Sequence, residues 1–205
     1  MRYLLIIVGL IIFQPGYGQL SKGIKAGLSA STIEINEIRD GSVFKGGESV
    51  TGYHAGVFAR HNMGMFFIQP EIIFTSSGGK INVTPPQNST TMPNPYDLEI
   101  TYNKIDVPIL VGIKIANLIR FQAGPTGSYL LSSEQKNSAT GAITDVLANY
   151  NQFSVAYQAG VGLDLDKFTL DLRFEDNLSD FGDKVGNFNT DQRNKQFLLS
   201  IGMIF

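Results

Sequence analysis

The chain of 205 residues suits one domain, and its formal net charge of -2 gives no broad electrostatic attraction for nucleic acid. Cysteine is absent, which excludes disulfides, thiolate metal sites, a thiol nucleophile and the lipid-modified cysteine of a bacterial lipoprotein. Charged residues make up only 17%, and a mean hydropathy of +0.03 conceals apolar residues that alternate with polar ones instead of clustering.

At the N-terminus, Met1-Arg2 carries positive charge, Leu4 to Phe13 is an apolar run broken only by Gly9, and Gln14-Pro15 breaks it. Gly16 and Gly18 then sit three and one residues before a cut ahead of Gln19, so residues 1–18 read as a signal peptide and 19–205 as the mature domain. The run is too short to cross ~30 Å of hydrocarbon as a helix. No later segment is apolar over that length, so a mature chain that spans a membrane must do so as a closed barrel.

Eight segments alternate with the period of two expected of strands with two unlike faces. Lys22 to Ser31 sets Ile24, Ala26 and Leu28 against Gly23, Lys25 and Gly27, and Gly52 to His61 sets Tyr53, Ala55 and Val57 against His54, Phe58 and Arg60. Met65 to Thr75 sets Phe66, Ile68, Ile72 and Phe74 against Gln69 and Glu71; Tyr102 to Ile115 sets Ile105, Val107, Ile109, Val111 and Ile113 against Asp106 and Lys114. Leu118 to Ser132 sets Phe121, Ala123 and Tyr129 against Arg120, Gln122 and Thr126, and Gln152 to Leu165 sets Val155, Tyr157, Val161 and Leu163 against Gln158, Gly162 and Asp164. Lys167 to Asp176 sets Phe168, Leu170, Leu172 and Phe174 against Asp171, Arg173 and Glu175, and Lys195 to Phe205 closes the series. Long polar connections from Thr32, Ser76, Ser133 and Asn177 alternate with short ones at Asn62-Met63-Gly64, Ala116-Asn117 and Asp164 to Lys167. Short periplasmic turns and long external loops are the outer-membrane pattern, and the parity returns Phe205 to the periplasm.

The expected fold is therefore all-β: a closed antiparallel up-and-down transmembrane barrel of about eight strands, in the outer membrane after export. A lipocalin-like soluble barrel would turn the apolar face inward. Two features favour the opposite. The polar face is rich in glycine, as a narrow lumen demands, and its charges are mixed: Lys25, Arg60, Lys114, Arg120 and Arg173 against Glu71, Asp106, Asp171 and Glu175. These nine are the expected lumenal polar network; facing lipid, each Lys or Arg would cost about 2–4 kcal/mol at the midplane. Eight strands leave room only for side chains, so a plugged lumen is expected, filled in part by Phe58, Leu110, Leu130, Leu198 and Ile204. Trp is absent, which leaves the interfacial girdles to Tyr53, Tyr102, Tyr129, Tyr157 and Phe205. Pro70, Pro108 and Pro125 fall inside strands and suggest bulges near the rims.

Phe67-Ile68-Gln69-Pro70-Glu71-Ile72, Ile105-Asp106-Val107-Pro108-Ile109-Leu110, Ala123-Gly124-Pro125, Ala159-Gly160-Val161-Gly162-Leu163-Asp164 and the ending Phe197 to Phe205 together resemble the PorT-like outer-membrane barrel family of Bacteroidetes. The likeness covers most of the chain after residue 18, in order. Tyr102 ahead of Val107-Pro108 fits the family pattern near the fourth strand, while Lys104 and Asp106 make this version more polar. The resemblance implies an outer-membrane barrel and, for the founding member, a part in protein secretion to the cell surface.

Other motifs carry less. His54 and His61 are too few for a metal site, and His54 as a base for lipid chemistry has no visible nucleophile partner. Asp164, Asp166 and Asp171 lack calcium-loop spacing and read as turn residues. Asn82-Val83-Thr84, Asn88-Ser89-Thr90 and Asn177-Leu178-Ser179 match sequons but read as polar loops, and Gly160-Val161-Gly162 lacks the strand-to-helix setting of a nucleotide site. Thr84 to Pro95 reads as a mobile external loop able to meet a partner. The expectation is a non-enzymatic structural or interaction component of the envelope, monomeric, with no cofactor or metal. Its partners would be outer-membrane lipid and envelope or secretion proteins, with a narrow solute channel or a lipid-modifying barrel enzyme as alternatives.

Overall fold

The computed structural model describes residues 20–34, 36–39, 42–85, 94–138, 140–145, 152–178 and 193–205; the expected signal peptide lies outside them, as does most of the Thr84 to Pro95 loop. Ten strands follow in chain order: β1 (Leu20–Glu34), β2 (Asn36–Arg39), β3 (Ser42–Met63), β4 (Phe66–Thr84), β5 (Tyr96–Ile115), β6 (Ile119–Asn137), β7 (Ile143–Asp145), β8 (Phe153–Leu165), β9 (Phe168–Asn177) and β10 (Arg193–Ile204). Eight of them, all but the short β2 and β7, form a ring of antiparallel neighbours. The ring closes where β1 pairs with β10, from Gly23↔Ile204 to Glu34↔Arg193. Closure leaves no unpaired edge within the hydrocarbon, the condition for a sheet to live there.

The strands are staggered. Following cross-strand partners once round the ring returns to β1 about ten residues further along, which tilts the strands by about 40° and fixes a narrow lumen. Burial alternates with the sequence period along the lipid-facing stretches of the ring strands. On β9, Phe168, Leu170 and Leu172 are 54%, 39% and 50% exposed, while Asp171 and Arg173 between them are 1% and 4% exposed. The apolar side chains thus face outward and the charges inward, the reverse of a soluble carrier.

On β5 the outward apolar band runs from Ile105 to Ile115, and above it Asn103, Thr101, Glu99 and Asp97 take the outward positions. Ten residues tilted by about 40° span roughly 25 Å, the height of the hydrocarbon layer. Above the band the pattern inverts: Ile81, Val83, Leu98, Ile100 and Tyr102 are buried on the inner face while polar residues face out. The strand continues through this inversion. The segments expected as loops from Thr32 and Ser76 are largely strand, because β4 runs to Thr84 and β5 starts at Tyr96. Strands β8 and β9 are shorter, with Phe153 and Asn177 at their outer ends, so β3 to β6 rise above them as a one-sided wall.

The short turns are built locally. Ala116 and Asn117 have φ of 51° and 55°, and the Leu118 amide donates to the Ile115 carbonyl at 3.0 Å, a left-handed turn within the three-residue connection from Ile115 to its ladder partner Ile119. Gly64 (φ 67°) turns β3 into β4. The prolines depart from expectation. Pro70 pairs with Ile109, Pro108 with Thr126 and Pro125 with Tyr157 without a shift in register, and the shifts fall instead at Gly46/Ser49, Ser49/Tyr53 and Asn103/Lys104. A proline removes one ladder donor but keeps an extended φ, so neighbouring pairs hold the register across it. Tyr102 is a second correction: it lies in the lumen, 2% exposed, whereas Tyr53, Tyr129, Tyr157 and Phe205 face outward.

Candidate functional site

The lumen holds the densest chemistry in the molecule, and almost every strand of the ring contributes to it. Arg173 of β9 grips Glu71 of β4, its Nη1 and Nη2 donating to Oε2 and Oε1 at 2.8 and 2.7 Å. These strands lie on opposite sides of the ring, so the pair is a bidentate strut across the lumen. Lys25 of β1 reaches the same two carboxylates that Arg173 touches, Glu71 at 3.1 Å and Asp171 at 3.0 Å. Arg120 of β6 links Asp171 at 2.9 Å to Asp164 of β8 at 2.8 Å. Asp164 also takes Arg60 of β3 at 3.0 Å, a second strut across opposed strands, and Lys114 at 2.8 Å. Higher in the lumen, Lys104 of β5 bridges Asp106 at 3.2 Å and Glu175 at 2.9 Å.

Amide and hydroxyl side chains add further hydrogen bonds to the charged groups. Gln69 accepts from Arg60 and donates to Glu71, Gln122 donates to Asp171, and Gln158 and Gln196 both donate to Glu175. Ser128 donates to Asp106. Phe58 and Phe67 floor the network: the Arg60 guanidinium lies 5.5 and 5.6 Å from their ring centres, and Lys25 lies 5.6 Å from Phe58. Glycine makes room. A Cβ on Gly162 would come within 2.5 Å of Asp171 Oδ1 and 2.6 Å of Arg120 Nη2.

The nine residues read from the sequence, Lys25, Arg60, Glu71, Asp106, Lys114, Arg120, Asp171, Arg173 and Glu175, all point inward, and the ion pairs above involve each of them. Lys114 differs in sitting near the periplasmic mouth with its side chain 20% exposed. Two residues join the network from outside the expected nine. Lys104 shares the inward parity of Asp106 two positions on. Asp164, on the polar face of its segment but with the chemistry expected of a turn, is the last inward residue of β8 and holds three cations. Of the apolar fillers, Phe58, Leu110, Leu130 and Leu198 are buried and Ile204 is half-buried.

His54 is buried, its Nε2 within 2.7 Å of Ser200 Oγ. Both line a small cavity of about 10 Å³ with Lys25, Glu71 and Arg173, room for one water and no substrate. His61 lies half-buried at the periplasmic end of β3. Among the described residues no group of three or more His, Asp or Glu side chains is arranged to hold a metal. Gly160-Val161-Gly162 sits within β8, and Asn82 at the top of β4 donates to Asp97.

A closed ring with an oily outside and a salt-bridged inside defines an integral β-barrel of the outer membrane. Residues 14–183 match the model of the outer membrane protein beta-barrel domain family, and the chain belongs to that family. Among solved structures, it is similar to Ail, the attachment invasion locus protein of Yersinia pestis, solved with the heparin analogue sucrose octasulfate. The two share 13% identity over 91% of this chain and 99% of Ail, with a TM-score of 0.54. It is also similar to Neisserial surface protein A, at 10% identity over 91% of this chain and 99% of that one, with a TM-score of 0.55. At these identities the likeness is one of fold. No curated protein matches the sequence significantly. The protein is a small outer-membrane β-barrel embedded in lipid.

Proposed function

We propose that this barrel is a closed, non-enzymatic, monomeric component of the envelope that works through its surface wall, as an interaction partner in secretion or envelope assembly. The observation that carries this reading is the filled lumen. Struts such as Arg173–Glu71 and Arg60–Asp164 cross it at two levels, and the side chains forming them are nearly inaccessible. Opening a path for solute means separating several desolvated charge pairs at once, each costing about 3–5 kcal/mol when one partner is lost. With the interior committed to holding the cylinder together, the surface left for recognition is the wall of β3 to β6 and its connecting segments. The ordered likeness to PorT-like barrels of Bacteroidetes, including the segments around Pro70 and Pro108, directs that recognition toward secretion machinery. The channel reading finds no support in so closed an interior, and the enzyme reading gives His54 no room for a substrate.

Planar-bilayer recording on the purified barrel tests the closed state: no steady conductance is expected, and a stable open level would overturn it. Deletion of the gene tests the role, with loss of surface-secreted protein or of envelope integrity expected. Normal secretion together with an intact envelope would remove the assembly function.

A further inference from the structure

Above the membrane band the sheet changes its connections. In the ring, β1 pairs with β3 only up to Ser31↔Val50, and β6 pairs with β8 only up to Tyr129↔Phe153. Beyond those pairs the upper parts of β3, β4, β5 and β6 are flanked by β2 on β3 and by β7 on β6. Among the described residues the wall is therefore an open six-stranded sheet standing on a closed cylinder, with no ladder of its own to β1, β8, β9 or β10.

The foot of the wall is marked by interruptions at one height. The register of β3 on β4 slips between Tyr53↔Ser76 and Ser49↔Gly79, where β3 takes one more residue than β4. The register of β5 on β6 slips between Asn103↔Ser132 and Lys104↔Leu130. Ser76 pairs with Asn103 as well as with Tyr53, so both slips border the same residue of β4. A bulge leaves backbone groups without ladder partners. At Gly78 the gap is closed by a strand that is not a neighbour: the Ser31 hydroxyl of β1 accepts from the Gly78 amide at 3.0 Å and donates to the Gly78 carbonyl. Ser77 and Ser133 flank Tyr102 in the ladder at this height, and Ser29 pairs with Gly52 beside the β3 slip. The hydroxyls of these three serines are buried without a protein partner, so the layer is tied together less densely than the charge lattice beneath it. Above it the wall has an interior of its own in Ile81, Val83, Leu98 and Ile100.

We propose that the wall is a separate cooperative unit hinged to the ring at residues 76–79, and that Ser31 is the clasp that holds it upright. Releasing the clasp frees the Gly78 peptide and lets the wall tilt, while the ring keeps its ladder and its ion pairs. The register slips absorb the rotation, because a bulged strand already carries residues outside the ladder.

Hydrogen exchange followed residue by residue on the intact barrel in micelles, at rising sub-denaturing urea, tests this. In wild type the amides of residues 79–84 and 96–101 converge on one opening event, at lower urea than the ladder of β8 and β9. Ser31→Ala raises the rate of exchange through that event about tenfold and leaves β8 and β9 unchanged. Ser200→Ala, which removes a lumenal hydroxyl beneath the layer, leaves the opening of the wall where it was. Wall amides that open only together with the ring, or that fray one by one from the tips, overturn the separate unit. An unchanged wall in Ser31→Ala, or an equal acceleration of wall and ring, overturns the clasp. The readout is local opening of the folded barrel, so it stands or falls separately from any role in secretion.

Discussion

Arg173 shows how single residues hold this molecule. Its guanidinium is almost fully buried and its two terminal nitrogens donate to Glu71, Asp171 and Gln158, so removing it leaves two buried carboxylates one cation short beside Lys25. Arg173→Met is expected to destabilise the barrel by about 3–5 kcal/mol, read as a lower urea midpoint in micelles. Adding Glu71→Gln should recover part of that loss, because the orphaned charge is then gone; two strictly additive losses would show that the strut is not coupled. The inward set was legible as residues because period-two alternation assigns a face without any tertiary knowledge. What alternation does not supply is partnership. Asp164 stands one position from the end of β8, where turn chemistry and strand chemistry use the same residue, and only the closing of the ring brings Arg60 across to it. The floor of Phe58 and Phe67 was half legible: Phe58 stands among the expected fillers, whereas Phe67 shares the inward parity of Gln69 and Glu71 and was not named with them.

Among the elements, the hairpins are set by their turns and the membrane height by the outward band. Ala116 occupies the left-handed region at φ 51°, where a side chain costs about 1–2 kcal/mol relative to glycine. Ala116→Gly should therefore raise stability by about 1 kcal/mol, read as a higher unfolding midpoint, and an unchanged or lower midpoint would count against the turn geometry. Strand ends were the least legible feature. On β4, Ile72 and Phe74 face lipid while Ile81 and Val83 face inward, so the apolar phase switches faces partway along one continuous strand. Read as a sequence, such a switch looks like the end of a strand; in the folded chain it marks where hydrocarbon gives way to water. The wall above that level lies outside the lipid-facing ring. Replacing residues 79–100 by a two-residue Asn-Gly turn should leave a barrel that still folds into micelles, while abolishing any surface interaction carried by the wall. Failure to fold would show that Ile81, Val83, Leu98 and Ile100 are part of the barrel's own core.

For the whole molecule, stability comes from a closed hydrogen-bonded ladder outside and a charge lattice inside, and neither depends on a large apolar core. Such a cylinder should resist SDS without boiling and migrate faster than its unfolded form on a gel, the two bands converging on heating. Co-migration of boiled and unboiled samples would sink the closed-ring account. The fold class was readable before any coordinates because closure, alternation and loop parity each leave a mark on the sequence. Function was not, since the same ring serves many roles and the distinguishing surface sits in the connecting segments, whose composition reports polarity and little else.

The unequal heights of the two sides give the molecule a direction within the plane of the membrane. On one flank β4 and β5 carry ordered sheet roughly 20–25 Å beyond the lipid surface, by strand rise and tilt, while among the described residues β8 and β9 reach only to Phe153 and Asn177. A body arriving on the β4–β5 side meets a parapet of rigid sheet. Two such proteins drifting in the same membrane can therefore meet face to face, back to back or face to back, and these encounters are chemically distinct even though the cylinder below the waterline is nearly round.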